Sequence, residues 1–250
     1  MTAPRRPLAL VTGASQGIGA AVARLLAPRY DLLLGGRDEE RLAGVIAELA
    51  DAGPVSATAL PVELTDDAAL AGALSGIDRL DALVHSAGIG ELGTVADTPA
   101  QVWRRQFDVN VVAVAETTRL LLPALRTAGA DGGADVVLVN SGSGLTARAG
   151  WGSYAASKFA LRAFGDALRA EESGHGIRVT SVHPGRVDTA MQRSVVEHER
   201  STGGASAGLS DGVYDGSRFL RPESVAAAVL AAVTATPDAH LTDITVRQQG

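Results

Sequence analysis

The sequence predicts a single doubly wound α/β domain with a parallel sheet of about seven strands and helices on both faces. Short apolar runs that suit strands alternate with longer segments that suit helices along the whole chain. Several strand runs are almost continuously apolar rather than alternating, which is typical of a parallel sheet covered on both faces. A chain of 250 residues has the length of one such domain, and residues 1–250 are predicted to form it.

The predicted strands and helices follow one another in a regular order. The strands are residues 8–11, 31–34, 56–61, 82–85, 136–140, 178–183 and 243–246. The helices are residues 17–27, 39–52, 66–74, 99–128, 152–173 and 222–236. Pro222 suits the first turn of the last helix and Pro237 follows its end, because proline lacks the N–H that a helix interior needs. Right-handed crossovers between parallel strands then give the doubly wound topology.

One long segment, residues 186–221, breaks this order between the sixth strand and the last helix. It is rich in glycine and serine, and a long irregular connection in a compact domain is usually functional or disordered. It also follows the carboxyl end of a strand, where ligands bind in such folds. We therefore expect a mobile lid over a substrate, with a flexible surface insertion as the alternative.

Composition and charge exclude several classes of function. The 22 basic and 28 acidic residues give a net charge of −6, which argues against a nucleic-acid or anionic-membrane partner. The chain has no cysteine, so disulfides, zinc–thiolate sites and a cysteine nucleophile are excluded. The five histidines lack metal-ligand spacing, which predicts no catalytic metal. No export signal or membrane span is evident, and we expect a soluble cytoplasmic protein.

A glycine-rich turn joins the first predicted strand to the first helix. Gly13 permits a tight turn, Gly17 allows a pyrophosphate to approach the backbone, and Gly19 allows the helix to pack against the strand. The helix N-terminus adds free N–H groups and the positive end of the helix dipole. A strand-to-helix turn can need glycines without binding phosphate, but the position near the N-terminus favours a dinucleotide site.

A tyrosine and a lysine stand four residues apart on the fifth predicted helix. Tyr154 and Lys158 therefore share a helix face, and a nearby cation is expected to lower the phenol pKa below about 10. Ser141, 13 residues before Tyr154, follows the fifth strand and points toward the same crevice. The residues favour Tyr154 as an acid/base near neutral pH. Ser143, 11 residues before Tyr154, is assigned to the wall of the substrate pocket.

Together these motifs resemble the short-chain dehydrogenase/reductase family, in its short single-domain branch. The resemblance covers nearly the whole chain, least securely 186–221, and implies a Rossmann-type oxidoreductase that uses a nicotinamide cofactor. It rests on TGxxxGIG at residues 12–19, His85-Ser86-Ala87-Gly88, Asn110, Ser141, YxxxK at residues 154–158 and Pro184-Gly185-Arg186-Val187-Asp188-Thr189.

The resemblance implies four catalytic residues. Tyr154 would donate a proton to the substrate carbonyl oxygen, and Ser141 would hydrogen-bond the developing alkoxide. Lys158 would hold the nicotinamide ribose and lower the tyrosine pKa. Asn110 would hold a water that connects Lys158 to solvent.

The resemblance also implies the residues that bind the cofactor. Two departures from the family pattern are His85-Ser86 in place of an asparagine pair and Glu63 in place of an aspartate. Ser86 can still hydrogen-bond locally, Glu63 can still accept from the adenine amine, and His85 is expected to have a structural role. The implied contacts are Gly13, Ser15, Gln16, Gly17, Ile18, Gly19, Arg37, Glu63, Leu64, Ser86, Ala87, Gly88, Tyr154, Lys158, Pro184, Gly185, Val187 and Thr189.

The end of the second predicted strand favours NADP over NAD. NAD-specific folds place a carboxylate there for the ribose 2′-hydroxyl, whereas this chain has Gly36 followed by Arg37. A guanidinium can clamp a 2′-phosphate, although Arg37 could also be a solvated residue at a helix start. Asp38 opposes the assignment by its charge, and Gln16 adds no charge.

The predicted activity is NADP-dependent interconversion of a ketone or aldehyde and an alcohol. Two alternatives stay open: a 3-oxoacyl-thioester reductase, which would use Arg104 and Arg105 to dock an acidic carrier, and a non-catalytic NADP-binding sensor. A small hydrophobic substrate is expected from the candidate pocket residues Leu145, Trp151, Met191 and Val195.

The chain is expected to form a homotetramer, with a dimer as the alternative. The number comes from the family resemblance, in which the fourth and fifth crossover helices pair between subunits. Residues 109–115 and 120–125 make the predicted helix 99–128 apolar on more than one face, and Phe159, Ala163 and Ala167 form a second stripe on the next helix.

Overall fold

The computed structural model describes residues 5–53, 55–202, 208–210 and 212–249. Seven parallel strands form one sheet in the order β3-β2-β1-β4-β5-β6-β9, which confirms the predicted doubly wound α/β fold. The strands are β1 (Leu8–Thr12), β2 (Asp31–Gly36), β3 (Ala57–Pro61), β4 (Ala82–His85), β5 (Ala134–Val139), β6 (Ile177–Pro184), β7 (Leu209–Ser210), β8 (Val213–Tyr214) and β9 (Asp243–Val246). The antiparallel pair β7–β8 lies outside this sheet.

The helices cover both faces of the sheet. Successive side chains of β1 point to opposite faces of the sheet. Ala9 and Val11 pack against the helices α1, α2 and α8 on one face, and Leu10 packs against α3, α5 and α6 on the other. The helices are α1 (Gly17–Leu26), α2 (Glu39–Ala52), α3 (Asp67–Leu74), α4 (Ala100–Phe107), α5 (Ala113–Gly129), α6 (Gly152–Glu172), α7 (Ala190–Ser201) and α8 (Pro222–Val233). This arrangement leaves the carboxyl edge of the sheet for the loops that carry the predicted site residues.

The predicted helix 99–128 is not uniform. A π-helical turn, Asp108–Val112, separates α4 from α5 and contains Asn110. The wider turn carries one extra residue, and such turns occur most often at functional sites. A helical repeat read from sequence cannot reveal it, because the turn depends on a contact with the distant loop after β4. The predicted helix 222–236 also ends earlier, at Val233.

The expectation of an irregular segment at 186–221 is wrong for most of the described residues. The helix α7 occupies much of the first half of this segment. A parallel bridge between Val187 and Leu220 joins the two ends of the segment. The Tyr214 hydroxyl donates to Asp188 Oδ1 at 2.9 Å and fixes β8 to the start of the segment. Residues 203–207 and 211 of the expected lid lie outside the described residues.

In the described part of the chain, no helix combines the length and apolarity needed to cross a membrane.

Candidate active site

The turn after β1 is held tightly against the loop after β4. The Thr12 hydroxyl oxygen accepts hydrogen bonds from the main-chain N–H groups of Ser86 and Ala87, both at 3.2 Å. Gly13 has φ +66°, and a Cβ there would lie 2.7 Å from Ala87 Cα. A Cβ at Gly19 would collide with the Gly13 carbonyl. A larger residue at either position would therefore force these two loops or the start of α1 apart.

A first cavity of about 540 Å³ opens at this turn. The α1 N-terminus faces it without a side-chain cap, which leaves N–H groups for a bound anion. It is lined by predicted cofactor residues Gly13, Ser15, Gln16, Gly17, Ile18, Gly19, Arg37, Glu63, Leu64, Ser86, Ala87, Gly88 and Thr189. Four residues that sequence analysis named for other reasons also line it: Gly36, Arg104, Arg105 and Met191. Residues that sequence analysis missed complete the lining: Val62, Thr65, Ile89, Gln101, Asp108, Val109 and Ala190.

Two guanidinium groups lie beside the predicted 2′-phosphate position. Arg37 is largely exposed, and its Nη1 is 3.5 Å from Glu63 Oε2. Arg41, which sequence analysis missed, donates from Nη1 to Gln16 Oε1 at 3.2 Å. Asp38 caps α2 by accepting from the Arg41 N–H and pairs with the Arg41 side chain at 3.0 Å. Asp38, whose charge the sequence placed in opposition to a phosphate, is thus paired with one of these two guanidinium groups.

A second cavity of about 500 Å³ adjoins the first, and both are lined by Ile18, Thr189 and Met191. It contains the predicted residues Ser141, Ser143, Tyr154, Pro184, Gly185 and Val187, together with Trp151 and Val195. Leu145, expected in this pocket, is not among the described residues that line it. Arg148, Arg186 and Arg247 line it as well, and sequence analysis assigned none of them to a substrate pocket.

Tyr154 is buried in the first turn of α6, and its ring packs edge-to-face on Trp151 with centroids 6.0 Å apart. Burial raises the pKa of Tyr154, and a hydrogen bond from Ser141 opposes the rise. The Lys158 Nζ lies 5.9 Å from the ring centroid and donates to the Val139 carbonyl, and the lowering of the Tyr154 pKa by Lys158 stays a prediction. A phenol kept protonated at neutral pH is suited to donate a proton.

Lys158 is also buried, and burial lowers its pKa to about 8. A Cβ built at Gly88 would lie 3.7 Å from Lys158 Nζ and 3.1 Å from Asn110 Oδ1. Gly88 therefore leaves open the space between the ammonium and the amide oxygen.

Asn110 fixes the loop after β4. Its Oδ1 accepts from the Ile89 N–H and its Nδ2 donates to the Ile89 carbonyl, both at 2.9 Å. The same Nδ2 donates to Ser157 Oγ at 3.0 Å. This contact ties the π-helical turn to α6 and to the loop that lines the first cavity. The side chain holds protein groups in place, and the predicted water at this residue stays a prediction.

His85 has a structural environment, as the sequence predicts. Its Nε2 lies 2.9 Å from Thr118 Oγ1, and that hydroxyl donates to the Val114 carbonyl. The imidazole must therefore donate to Thr118. Burial lowers the pKa of His85 to about 3, so the ring is neutral at physiological pH. Among the described residues, no group of three or more His, Asp or Glu side chains converges as a metal site would need.

Three comparisons bear on this arrangement. A family model described as short chain dehydrogenase matches residues 7–200. Sulfoacetaldehyde reductase from Chromohalobacter salexigens is 34% identical over 240 residues, which is 94% of this chain and 91% of that protein. Cyclopentanol dehydrogenase from a Comamonas species is 36% identical over 197 residues, 77% of each chain. The structure of actinorhodin polyketide ketoreductase with NADPH superposes with a TM-score of 0.86 at 27% identity, covering 99% of this chain and 98% of that one.

Proposed function

The chain belongs to the short-chain dehydrogenase family, and we propose that it is an NADP(H)-dependent oxidoreductase that interconverts a ketone or aldehyde and the corresponding alcohol. One observation carries the proposal: Tyr154 and Ser141 line the second cavity, which adjoins the first through shared lining residues. A substrate in the second cavity would then lie beside both a proton donor and the end of a cofactor in the first.

The described residues fit NADP(H). The glycine-rich turn before α1 and the uncapped α1 N-terminus suit a pyrophosphate, and Glu63, which lines the same cavity, would accept a hydrogen bond from the adenine amine. Arg37 and Arg41 would hold the 2′-phosphate, since guanidinium groups bind phosphate through charge-assisted hydrogen bonds. The NADPH in the ketoreductase structure supports the same choice. When bound, the nicotinamide supplies the hydride.

The chain's own residues handle the proton. Tyr154 donates its phenolic proton to the substrate carbonyl oxygen, so that the C=O becomes C–OH as the hydride reaches carbon. Ser141 hydrogen-bonds the same oxygen while negative charge develops there. Lys158 then returns a proton to the phenolate, and the space beside Gly88, between Lys158 Nζ and Asn110 Oδ1, would hold the water through which Lys158 regains its proton.

The relatives do not identify one substrate. Their names give a sulfonated aldehyde in one case and a cyclic alcohol in the other. The experiment that tests the proposal is consumption of NADPH, followed by its absorbance, with a panel of ketones, aldehydes and acyl thioesters. No turnover of any carbonyl by protein that binds NADPH would contradict the proposal.

A 3-oxoacyl-thioester reductase is a second candidate, favoured by the structural likeness to a polyketide ketoreductase. The predicted docking surface gives it little support. Arg104 and Arg105 line the first cavity, and Arg105 pairs with Glu91 at 3.2 Å. The thioester arm of the panel separates the candidates. A non-catalytic sensor is disfavoured, because Tyr154 and Lys158 are both present and buried, and Tyr154 lines the second cavity.

We also propose that the chain assembles as a homotetramer, with a dimer as the alternative. Val112, in the π-helical turn, is 54% exposed, and Phe159 on α6 is 41% exposed. Large apolar side chains exposed on adjoining helices fit a helix-to-helix contact between subunits. A light-scattering mass near 25.5 kDa would contradict any assembly.

A further inference from the structure

We propose that the second cavity binds a carbonyl substrate that carries a carboxylate or sulfonate group, held by Arg148 and Arg247. This inference rests on the proposed function and names the substrate class for the same site. It replaces the expectation of a purely hydrophobic substrate.

The lining of the second cavity is positively charged. Arg148, Arg186 and Arg247 contribute to it, and none of the described residues that line it is an aspartate or glutamate. The chain as a whole has the opposite balance, with 28 acidic and 22 basic residues. An excess of one charge in a cleft attracts ligands of the other sign.

Arg186 is already balanced by the protein. Its Nη2 lies 2.7 Å from Glu199 Oε2, and its guanidinium stacks over the Phe219 ring at 5.3 Å. It therefore fixes α7 to the rest of the segment rather than adding free positive charge to the cavity.

Arg148 and Arg247 differ from Arg186 in their contacts with the described residues. Within the described part of the chain, neither side chain makes a salt bridge or a hydrogen bond, although both guanidinium groups are charged at any physiological pH. Both arginines are exposed residues of the cavity lining, so their charges face water and are available to an anionic ligand.

The backbone holds both arginines beside the proposed catalytic residues. The Arg148 carbonyl accepts from the Trp151 N–H at 3.1 Å, and Trp151 packs on Tyr154. Arg247 directly follows β9, where the Val246 carbonyl accepts from the Gly185 N–H at 2.8 Å. The two side chains therefore reach the cavity from separate loops at the carboxyl edge of the sheet.

The remaining lining suits the carbon chain of such a substrate. Trp151, Met191 and Val195 supply apolar walls. A guanidinium binds carboxylate or sulfonate oxygens in a planar, bidentate geometry. The substrate is therefore expected to place its carbonyl at Tyr154, its carbon chain along the apolar wall and its anionic group at the arginines.

The test compares matched substrates. Oxo acids of increasing chain length are each assayed beside the methyl ester of the same acid and the corresponding sulfonate, with NADPH consumption as the readout. The variants are R148Q, R247Q and the double variant. R29Q is the control. It removes one positive charge, as R148Q and R247Q do, but Arg29 precedes β2 and so lies at the opposite edge of the sheet.

We expect at least one anionic substrate to exceed its ester by roughly tenfold or more in kcat/KM, the size of one charge-assisted contact. R148Q and R247Q should each lower this acid-to-ester ratio by roughly tenfold, mainly through KM, and R29Q should leave it unchanged. The carboxylate and sulfonate arms identify which anion is preferred.

Two other results have distinct meanings. If esters are reduced as well as acids and the ratio is the same in R148Q and R247Q, the anionic-substrate proposal is overturned while the oxidoreductase function stands. If no carbonyl of either kind is reduced by protein that binds NADPH, the proposed function fails and this inference fails with it.

Discussion

The His183 imidazole bridges the main-chain carbonyl of Ser141 and the carboxylate of Asp243. Its Nδ1 lies 3.2 Å from the carbonyl oxygen and its Nε2 lies 3.0 Å from Asp243 Oδ1. Both nitrogens of the ring therefore face oxygen atoms that accept hydrogen bonds. The bridge connects Ser141 to β6 and β9, and thus fixes the backbone that carries the proposed oxyanion contact.

We predict that H183Q lowers kcat for carbonyl reduction while the dissociation constant for NADPH stays unchanged. A glutamine side chain cannot bridge both acceptors in the same geometry, and each lost bond to a buried group costs about 1–3 kcal/mol of stability. Urea unfolding and single-turnover kinetics measure the two effects. H175Q, at an exposed position, is the control. An unchanged kcat in folded H183Q would contradict a positioning role for His183.

The 2′-phosphate assignment predicts a selective loss of NADPH binding. In R37A and in R41A, the KM for NADPH should rise roughly 10- to 100-fold and the KM for NADH should change little, because only NADPH carries the phosphate. R29A is the matched control. Equal changes for both cofactors in R37A and R41A would place the 2′-phosphate elsewhere.

The buried ammonium of Lys158 predicts a dependence of stability on pH. Its pKa falls from 10.5 to about 8 on folding, so the unfolded chain binds more protons between these values. The free energy of unfolding should therefore rise with pH across this window, relative to K158M, by on the order of 3 kcal/mol. Tyr154 titrates in both proteins and largely cancels in the difference. Urea unfolding from pH 7 to pH 11 tests this, and parallel curves for the two proteins would show that Lys158 is not strongly desolvated.

The parts of the site that sequence analysis predicts are those determined by local spacing. The glycines at 13, 17 and 19 belong to one turn, and Tyr154 and Lys158 belong to one helix face. Strand ends place Ser141 and Ser86 at the same edge because parallel strands share a direction. Each of these relationships spans a few residues or follows from the sheet topology alone.

The features that sequence analysis missed depend on contacts between distant segments. Arg41, on α2, donates a hydrogen bond to Gln16, which directly precedes α1. Asn110, in the π-helical turn, accepts a hydrogen bond from Ile89 in the loop after β4. Arg148 and Arg247 meet in one cavity only because β9 returns beside β6. The sequence does contain an indication of α7, because Thr189 is a favourable N-cap residue and accepts from the Gln192 N–H in the structure. The glycine-rich stretch after the helix favoured an irregular segment instead.

Turnover by Y154F tests the central claim most directly. The substitution removes only the phenolic hydroxyl, and the ring can still pack on Trp151. We predict that Y154F binds NADPH with wild-type affinity, measured by calorimetry, and loses roughly 100- to 10,000-fold in kcat with the best carbonyl substrate, as expected for a lost general acid. Y30F, which removes a hydroxyl that bonds the Val233 carbonyl, should keep normal turnover. A Y154F enzyme that reduces the same substrate at a near wild-type rate would contradict the assignment of Tyr154 as the proton donor.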